Sequence, residues 1–155
     1  MQGKQIKILL FEDDYESMRH LKEHIEEEFG WQVALTAEST LLEHLGHERF
    51  DLLIVDLMIH PRSLDAYGQE VQNVRFDGIP WLRTGLEFLR RLRAGEFSRE
   101  AGVGTLPQVP VIVLSAVADY SVENALEEEV RIEDYIEKPF RLEEMVEHIR
   151  RLLQE

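Results

Sequence analysis

The stretch FDLLIVDLMIHP, residues 50–61, constrains the fold more than any other part of the sequence. Its centre, residues 52–55, is an uninterrupted run of Leu, Leu, Ile and Val, without the alternation expected of a strand that has one face in water. Such a run is typical of a parallel strand that other elements cover on both faces. The chain must therefore place helices on each side of the sheet to which this strand belongs.

Apolar segments of this kind alternate with helical patterns along the whole chain. Strand–helix alternation repeated five times predicts an α/β fold with a doubly wound, five-stranded parallel sheet and helices on both faces. The four further strands are expected at residues 6–11, 31–35, 109–114 and 135–136. Apolar residues at three- and four-residue spacing predict helices over residues 15–29, 84–92 and 122–130 and after Pro139, and a short helix is expected over residues 40–45. Thr40 with Glu43, and Thr84 with Glu87, have the spacing of capping boxes that begin two of these helices.

Composition narrows the class of protein. A chain of 155 residues is the size of one domain, so we expect a single domain over residues 1–155. It contains no cysteine, which excludes disulfides, thiolate metal sites and a cysteine nucleophile. The formal net charge of −14 repels phosphates and argues against direct binding of nucleic acids. No stretch has the pattern of a signal peptide or a membrane span, so we expect a cytoplasmic protein without membrane contact.

Residues 61–84 interrupt the regular alternation between the third strand and its helix. Connections without secondary structure longer than roughly 12–15 residues are uncommon in compact domains and are usually functional or disordered. We therefore interpret this segment as an inserted loop, which could cover a site, dock a partner or contact a neighbouring subunit. Its Phe76 and Trp81 could form a small core that holds the loop, or an exposed anchor for a partner.

Polar residues follow four of the predicted strands. In an open parallel sheet, ligands bind at the carboxyl ends of the strands, beside the point where the strand order reverses. We therefore expect these residues to meet at one rim. Carboxylates brought so close raise one another's pKa unless a positive charge lies among them, and Mg²⁺ accepts a site with few carboxylates and several waters. The residues are Glu12, Asp13 and Asp14 after the first strand, Asp56 after the third, Ser115 after the fourth and Lys138 after the fifth.

Asp56 is the acid that this arrangement surrounds. A carboxylate is an established covalent acceptor in phosphoryl transfer, and a metal ion with a lysine neutralises charge on the transferred group. Ser115 supplies a hydroxyl that can hydrogen-bond the group, and Lys138 leaves room for an anion. The pattern therefore predicts that Asp56 is phosphorylated in a reaction that depends on Mg²⁺.

Five stretches follow one another along the chain: KILLFEDD, FDLLIVDLM, TGLEFLRRLR, VIVLSA and DYIEKPF. Together they resemble the bacterial two-component response-regulator receiver domain over residues 4–153, in the single-domain type without an output domain. Each stretch is weakly specific alone, whereas the set in this order is highly specific. The resemblance implies the flavodoxin-like receiver fold, with residues 61–84 as an insertion after the third strand.

The resemblance also implies the metal ligands and the acceptor. Asp56 is the phosphoacceptor, and it shares a Mg²⁺ or Mn²⁺ ion with Glu12, Asp13 and the backbone carbonyl of Met58. Asp14 we interpret as the cap of the first helix, since a helix N-terminus favours a negative side chain.

The remaining rim residues are implied to bind the phosphoryl group and to respond to it. Lys138 binds the phosphate, Ser115 is the switch hydroxyl, and both assist catalysis at Asp56. Tyr135 is implied to be the switch aromatic, although an aromatic residue on a short strand is equally expected to pack in the core. Pro139 matches the proline of the family that a cis peptide bond often precedes.

The partners implied by the resemblance are proteins. A histidine kinase or a phosphotransfer protein offers a phosphohistidine, and a downstream protein recognises the face formed by the fourth helix, the fifth strand and the fifth helix. Phosphorylation then acts as a local charge event that biases a two-state element. The domain assists its own phosphorylation and autodephosphorylation but turns over no metabolite, so we do not expect an enzyme in the ordinary sense. A homodimer is also compatible with the pattern.

The sequence departs from the family pattern near the acceptor. His60 occupies the position of the usual proline, which is displaced to Pro61, and Thr84 stands where an acid commonly precedes the glycine of the third helix. His60 has no second histidine at ligand spacing, so we interpret it as a loop residue and not as a metal ligand. These departures affect the expected partner and phosphoryl lifetime more than the acceptor chemistry.

Two other functions remain to be compared with the switch. The first is a receiver-like protein-interaction module that works without phosphorylation, which the presence of the complete set of key residues disfavours. The second is a Mg²⁺-dependent phosphatase of the aspartyl-phosphate type, whose nucleophile follows the first strand with a second Asp two residues later. Here Glu12 precedes Asp14 at that spacing, so the nucleophile position does not match.

Overall fold

The central feature of the molecule is a five-stranded parallel sheet. The computed structural model describes residues 5–65, 67–98, 104–116 and 130–153. In chain order its elements are β1 (Lys7–Phe11), α1 (Tyr15–Phe29), β2 (Gln32–Leu35), α2 (Leu41–His44), β3 (Leu52–Asp56), β4 (Arg62–Leu64), β5 (Glu70–Gln72), a 3₁₀ helix (Trp81–Arg83), α3 (Thr84–Arg93), β6 (Val111–Ser115), β7 (Asp134–Glu137) and α4 (Leu142–Leu153). No helix within these ranges is long and apolar enough to cross a membrane.

The strand order places β1 and β3 at the centre of the rim. The order is β2–β1–β3–β6–β7, with every neighbouring pair parallel. It reverses between β1 and β3, which is the switch point at which doubly wound sheets bind ligands. The predicted doubly wound, flavodoxin-like fold is confirmed.

Strand β3 explains why the sheet needs cover on both faces. All five of its residues are buried, and successive side chains point into opposite cores. Leu53 and Val55 pack with Leu86 and Leu89 of α3 on one face. On the other face, the cluster that contains Leu52 and Ile54 includes Met18, Leu21 and Ile25 of α1 and Met145 and Ile149 of α4.

The helix boundaries show where capping spacing predicts correctly and where it does not. Helix α1 begins after Asp14, whose Oδ1 accepts a hydrogen bond from the Ser17 backbone N–H at 3.2 Å, and it ends at Gly30 with a φ of 69°. The predicted capping boxes are wrong, because neither Thr40 nor Thr84 makes a capping hydrogen bond. Thr84 is itself the first residue of α3, with its hydroxyl buried and without a hydrogen-bond partner among the described residues.

Residues 61–84 are not a loop throughout. Strands β4 and β5 pair as an antiparallel hairpin, in which Arg62 is opposite Gln72. After the hairpin, Phe76 is buried in the same core as Leu86, so this residue packs in the main core. Trp81 remains 41% exposed. The predicted helix over residues 122–130 falls, apart from its last residue, outside the described residues.

Helix α3 is held close to the end of β3 by a glycine. A Cβ atom added at Gly85 would overlap the carbonyl oxygen of Asp56 and lie 2.5 Å from the Cα of Leu57. The Gly85 N–H donates a hydrogen bond to the Leu57 carbonyl at 2.9 Å, which fixes the approach. Any side chain at position 85 must therefore push the helix away from the strand that carries Asp56.

We predict that Gly85→Ala destabilises the protein by about 1–3 kcal/mol, the usual cost of overpacking a close contact. The midpoint and slope of urea unfolding would measure this loss, with Arg90→Ala on the exposed face of α3 as the control. A Gly85→Ala protein as stable as the control would contradict the close packing of α3 on β3.

Candidate functional site

Two buried carboxylates lie side by side at the carboxyl edge of the sheet. Phe11 pairs with Val55, so the residues that follow them, Glu12 and Asp56, are neighbours at the switch point. Glu12 is 1% exposed and Asp56 4% exposed. One oxygen from each of Glu12, Asp13 and Asp56 lies within 4.8 Å of the others. The structure therefore brings together the three predicted carboxylate ligands.

Lys138 joins these acids from the far end of the sheet. Its Nζ donates hydrogen bonds to Glu12 Oε2 at 2.6 Å and to Asp56 Oδ2 at 2.7 Å. Its backbone N–H donates to the Ser115 carbonyl at 2.8 Å, and its peptide bond to Pro139 is cis. The lysine is thus anchored to β6 while its amine bridges two acids that follow β1 and end β3.

Ser115 and Tyr135 lie on the two strands next to β3. Asp56 pairs with Leu114, so the buried Ser115 is one residue further along the rim. Tyr135 pairs with Val113 and is half-buried against the core. Both a core residue and a switch residue could pack in this way, so the switch role of Tyr135 remains a prediction. Met58 is half-buried, and its backbone N–H donates to Asp56 Oδ1 at 2.9 Å.

Asp13 is held by a backbone group that sequence reasoning missed. The N–H of His60 donates a hydrogen bond to Asp13 Oδ2 at 2.8 Å. The ring of His60 lies instead against Arg62, where its Nδ1 is 2.8 Å from the carbonyl oxygen. A contact made by a backbone amide has no residue signature, so only the register of residue 60 against the loop after β1 reveals it.

Sequence reasoning also missed Asn73, a buried polar residue directly after β5. Its amide nitrogen donates to the carbonyl of His60 at 2.8 Å. The one available signal was an amide side chain beside apolar Val71 and Val74. That signal is weak, because such a residue is equally common in an exposed turn.

The charges at the site are incompletely balanced. Burial, reinforced by the charge of Asp56, raises the pKa of Glu12 from 4.5 to about 9. Burial alone would lower the pKa of Lys138, but the charges of Glu12 and Asp56 outweigh it and raise that pKa. The ammonium of Lys138 is therefore insufficient to ionise both buried acids at neutral pH. Three carboxylates that need a further positive charge fit a hard divalent cation such as Mg²⁺.

We predict that stability falls with rising pH when no divalent cation is present. The folded protein binds the Glu12 proton more tightly than the unfolded chain, so this contribution is complete below pH 4.5 and is lost as the pH approaches about 9. The free energy of unfolding falls by at most about 1.4 kcal/mol per pH unit in this window, since one group titrates. The raised pKa of Lys138 acts above this window, where that amine loses its proton.

Urea unfolding in the presence of a chelator, at several pH values between about 5 and 9, measures this dependence. Glu12→Gln keeps a neutral side chain of the same shape and removes the titrating group, so its stability should change less with pH. Equal pH slopes for the two proteins would show that Glu12 does not carry the extra proton.

Comparison with known proteins gives the fold independently of the motifs. No family model matches the sequence, and no curated protein matches it. Among solved structures, a response regulator from Thermotoga maritima is 23% identical, with 98% of this chain and 100% of that chain covered and a TM-score of 0.65. The signal receiver domain of a signal transduction histidine kinase from Syntrophus aciditrophicus is 26% identical over 96% of this chain and 89% of that chain, with a TM-score of 0.62.

A third solved structure is the receiver domain of a sensor histidine kinase from Pseudomonas aeruginosa, which has a magnesium ion coordinated in its active site cleft. It is 23% identical, with 98% of this chain and 100% of that chain covered and a TM-score of 0.60. All three cover nearly the whole of this chain. The chain therefore has the fold of the response-regulator receiver domains, as its five sequence motifs predict.

Proposed function

We propose that this chain is the phosphoacceptor signalling domain of a two-component system, in which Asp56 receives a phosphoryl group from a phosphohistidine. The observation that carries the proposal is the double contact of Lys138 Nζ with Asp56 and Glu12, at 2.7 Å and 2.6 Å. A buried acid at the switch point, with an amine already beside it, is suited to accept an anionic group. The donor is a histidine kinase or a phosphotransfer protein.

The acceptor carboxylate is oriented by two hydrogen bonds. The Met58 N–H binds Oδ1 and the Lys138 amine binds Oδ2, so the plane of the Asp56 carboxylate is defined before a donor arrives. In the transfer, an Asp56 oxygen forms a bond to phosphorus as the N–P bond breaks. The electron pair of that bond returns to the ring nitrogen, and the donor histidine, protonated on its other nitrogen, leaves as neutral imidazole. Lys138 stabilises negative charge on the phosphoryl oxygens.

Mg²⁺, or Mn²⁺ in its place, belongs to the same proposal. Glu12, Asp13, Asp56 and the backbone carbonyl of Met58 would hold the ion, which would neutralise charge on the phosphoryl oxygens. Two observations support this assignment. The carboxylates converge, and the raised pKa of Glu12 means that Lys138 alone does not neutralise them, which leaves a need for a further positive charge. The magnesium ion in the Pseudomonas aeruginosa receiver domain supports it by analogy.

The output of the switch follows from the residues on β6 and β7. The Ser115 hydroxyl would donate a hydrogen bond to the phosphorylated Asp56, and Tyr135 would follow this movement toward the core. The surface that changes is formed by the predicted helix over residues 122–130, β7 and α4, and a downstream protein would bind it. The domain turns over no metabolite in this proposal, and its place is the cytoplasm.

We predict that a small acyl-phosphate donor adds one phosphoryl group to the protein only when Mg²⁺ is present. Asp56→Asn should gain none, because the amide cannot act as the acceptor. Asp51→Asn is the matched control, since Asp51 lies at the opposite end of β3, where its Oδ2 accepts from the Lys7 N–H at 3.0 Å. Intact mass before and after incubation distinguishes the three proteins.

Phosphorylation of Asp56→Asn would place the acceptor elsewhere and contradict the proposal. If the folded wild-type protein gains no phosphoryl group from the small donor, a phosphohistidine donor provides the second assay. Failure in both assays would favour the receiver-like module that acts without phosphorylation, whereas steady release of phosphate from a phosphoester would favour the phosphatase.

We further predict that Lys138→Met slows phosphorylation by about 100-fold or more, because one charged donor is lost next to the developing charge. Lys22→Met serves as the control, since Lys22 forms an ion pair with Glu26 within α1, away from the rim. The rate of mass gain at saturating Mg²⁺ measures the effect. Equal rates for Lys138→Met and wild type would exclude Lys138 from the transfer.

A further inference from the structure

The base of the β4–β5 hairpin is hydrogen-bonded to the acidic loop that follows β1, residues 12–14. The N–H of His60, two residues before β4, donates a hydrogen bond to Asp13 Oδ2 at 2.8 Å. This bond occupies one of the two carboxylate oxygens and fixes the direction of the other. The position of the His60 backbone therefore determines how Asp13 is presented to the site.

Asn73 in turn fixes the His60 backbone. Its Nδ2 donates to the His60 carbonyl at 2.8 Å and to Ser63 Oγ at 3.0 Å. Its own backbone N–H donates to the Pro61 carbonyl at 2.9 Å. Asn73 is 4% exposed, so both hydrogen bonds of its amide nitrogen are largely protected from water. The side chain holds together the two ends of the hairpin where they leave the sheet.

The carbonyl oxygen of the Asn73 amide binds the residue that directly follows the acidic loop, Tyr15, at the start of α1. Its Oδ1 accepts a hydrogen bond from the Tyr15 hydroxyl at 3.4 Å, and that hydroxyl accepts one from the Ala37 N–H at 3.3 Å. Tyr15 lies two residues after Asp13. The segment from Asp13 to Tyr15 is thus held at both ends by the hairpin base, once through His60 and once directly by Asn73.

We infer that Asn73 is a positioning residue for the metal ligands, and that Mg²⁺ affinity depends on it although it contacts none of the proposed ligands directly. The inference rests on the proposed function, since it concerns the same ion. An amide is required because the position needs a donor toward the His60 carbonyl and an acceptor toward the Tyr15 hydroxyl. Groups that orient metal ligands in this way typically change metal affinity by 10- to 100-fold when they are removed.

The test is the dissociation constant of Mg²⁺, measured by isothermal titration calorimetry on the full chain. Asn73→Leu removes both polar ends of the side chain, and Asn73→Ala removes the amide without adding bulk or charge. Both should weaken Mg²⁺ binding by about 10- to 100-fold. Ser63→Ala is the matched control, because it removes the other acceptor of the Asn73 amide nitrogen and leaves the hydrogen bonds from Asn73 to His60 and from His60 to Asp13 in place. Its dissociation constant should equal that of wild type.

Two further readouts separate positioning from a general loss of stability. Thermal unfolding without Mg²⁺ reports stability alone, and a purely structural Asn73 would lower the melting temperature while leaving the Mg²⁺ dissociation constant unchanged. Hydrogen exchange of the His60 amide reports the bond to Asp13, and it should accelerate in the Asn73 variants and not in Ser63→Ala.

The outcomes distinguish this inference from the proposed function. If wild type binds Mg²⁺ and the folded Asn73 variants bind it equally well, the inference is overturned and the proposed function stands. If wild type binds no Mg²⁺, both fail. If neither Asn73 variant folds, Tyr15→Phe decides, since it removes the hydroxyl bonded to Asn73 Oδ1. A weaker affinity in Tyr15→Phe supports the inference, and an unchanged affinity overturns it.

Discussion

Glu12 and Asp56, two carboxylates with almost no access to water, share the amine of Lys138, and the rest of the site is arranged around this contact. Burying like charges together is unfavourable unless they are neutralised, and one lysine leaves the pKa of Glu12 raised to about 9. The site therefore retains an affinity for positive charge. Proton, metal ion and lysine compete for the same oxygens, so their occupancies are linked.

The fold supplies what this contact requires. The acids and the lysine are far apart in the sequence, and the parallel register of β1, β3, β6 and β7 brings their carboxyl ends to one rim. The close approach of α3 at Gly85 then holds the backbone of Asp56 from one side. A doubly wound sheet thus places reactive groups at the ends of rigid strands, where their positions depend on the whole core.

How much of this could be predicted depends on the kind of interaction. The uninterrupted apolar run at residues 52–55 was enough to predict a sheet covered on both faces. The charged residues at the strand ends were enough to predict that Glu12, Asp13, Asp56 and Lys138 lie together. Capping spacing failed at Thr84, since packing of α3 on β3 buries the hydroxyl. The hairpin escaped prediction because its strands are three residues each and its base depends on backbone and amide contacts around Asn73.

The exposed Trp81 lies close enough to the acidic rim to serve as a fluorescent reporter. Its ring centroid lies 5.5 Å from that of His60, the residue whose amide holds Asp13. The second tryptophan, Trp31, stacks on Phe29 at 4.4 Å, where α1 ends and β2 begins. One natural fluorophore, Trp81, therefore contacts the residue that binds Asp13, and the other, Trp31, lies at a separate place in the fold. With Trp31 replaced by phenylalanine, tryptophan fluorescence comes from Trp81 alone and reports changes near the rim without an added label.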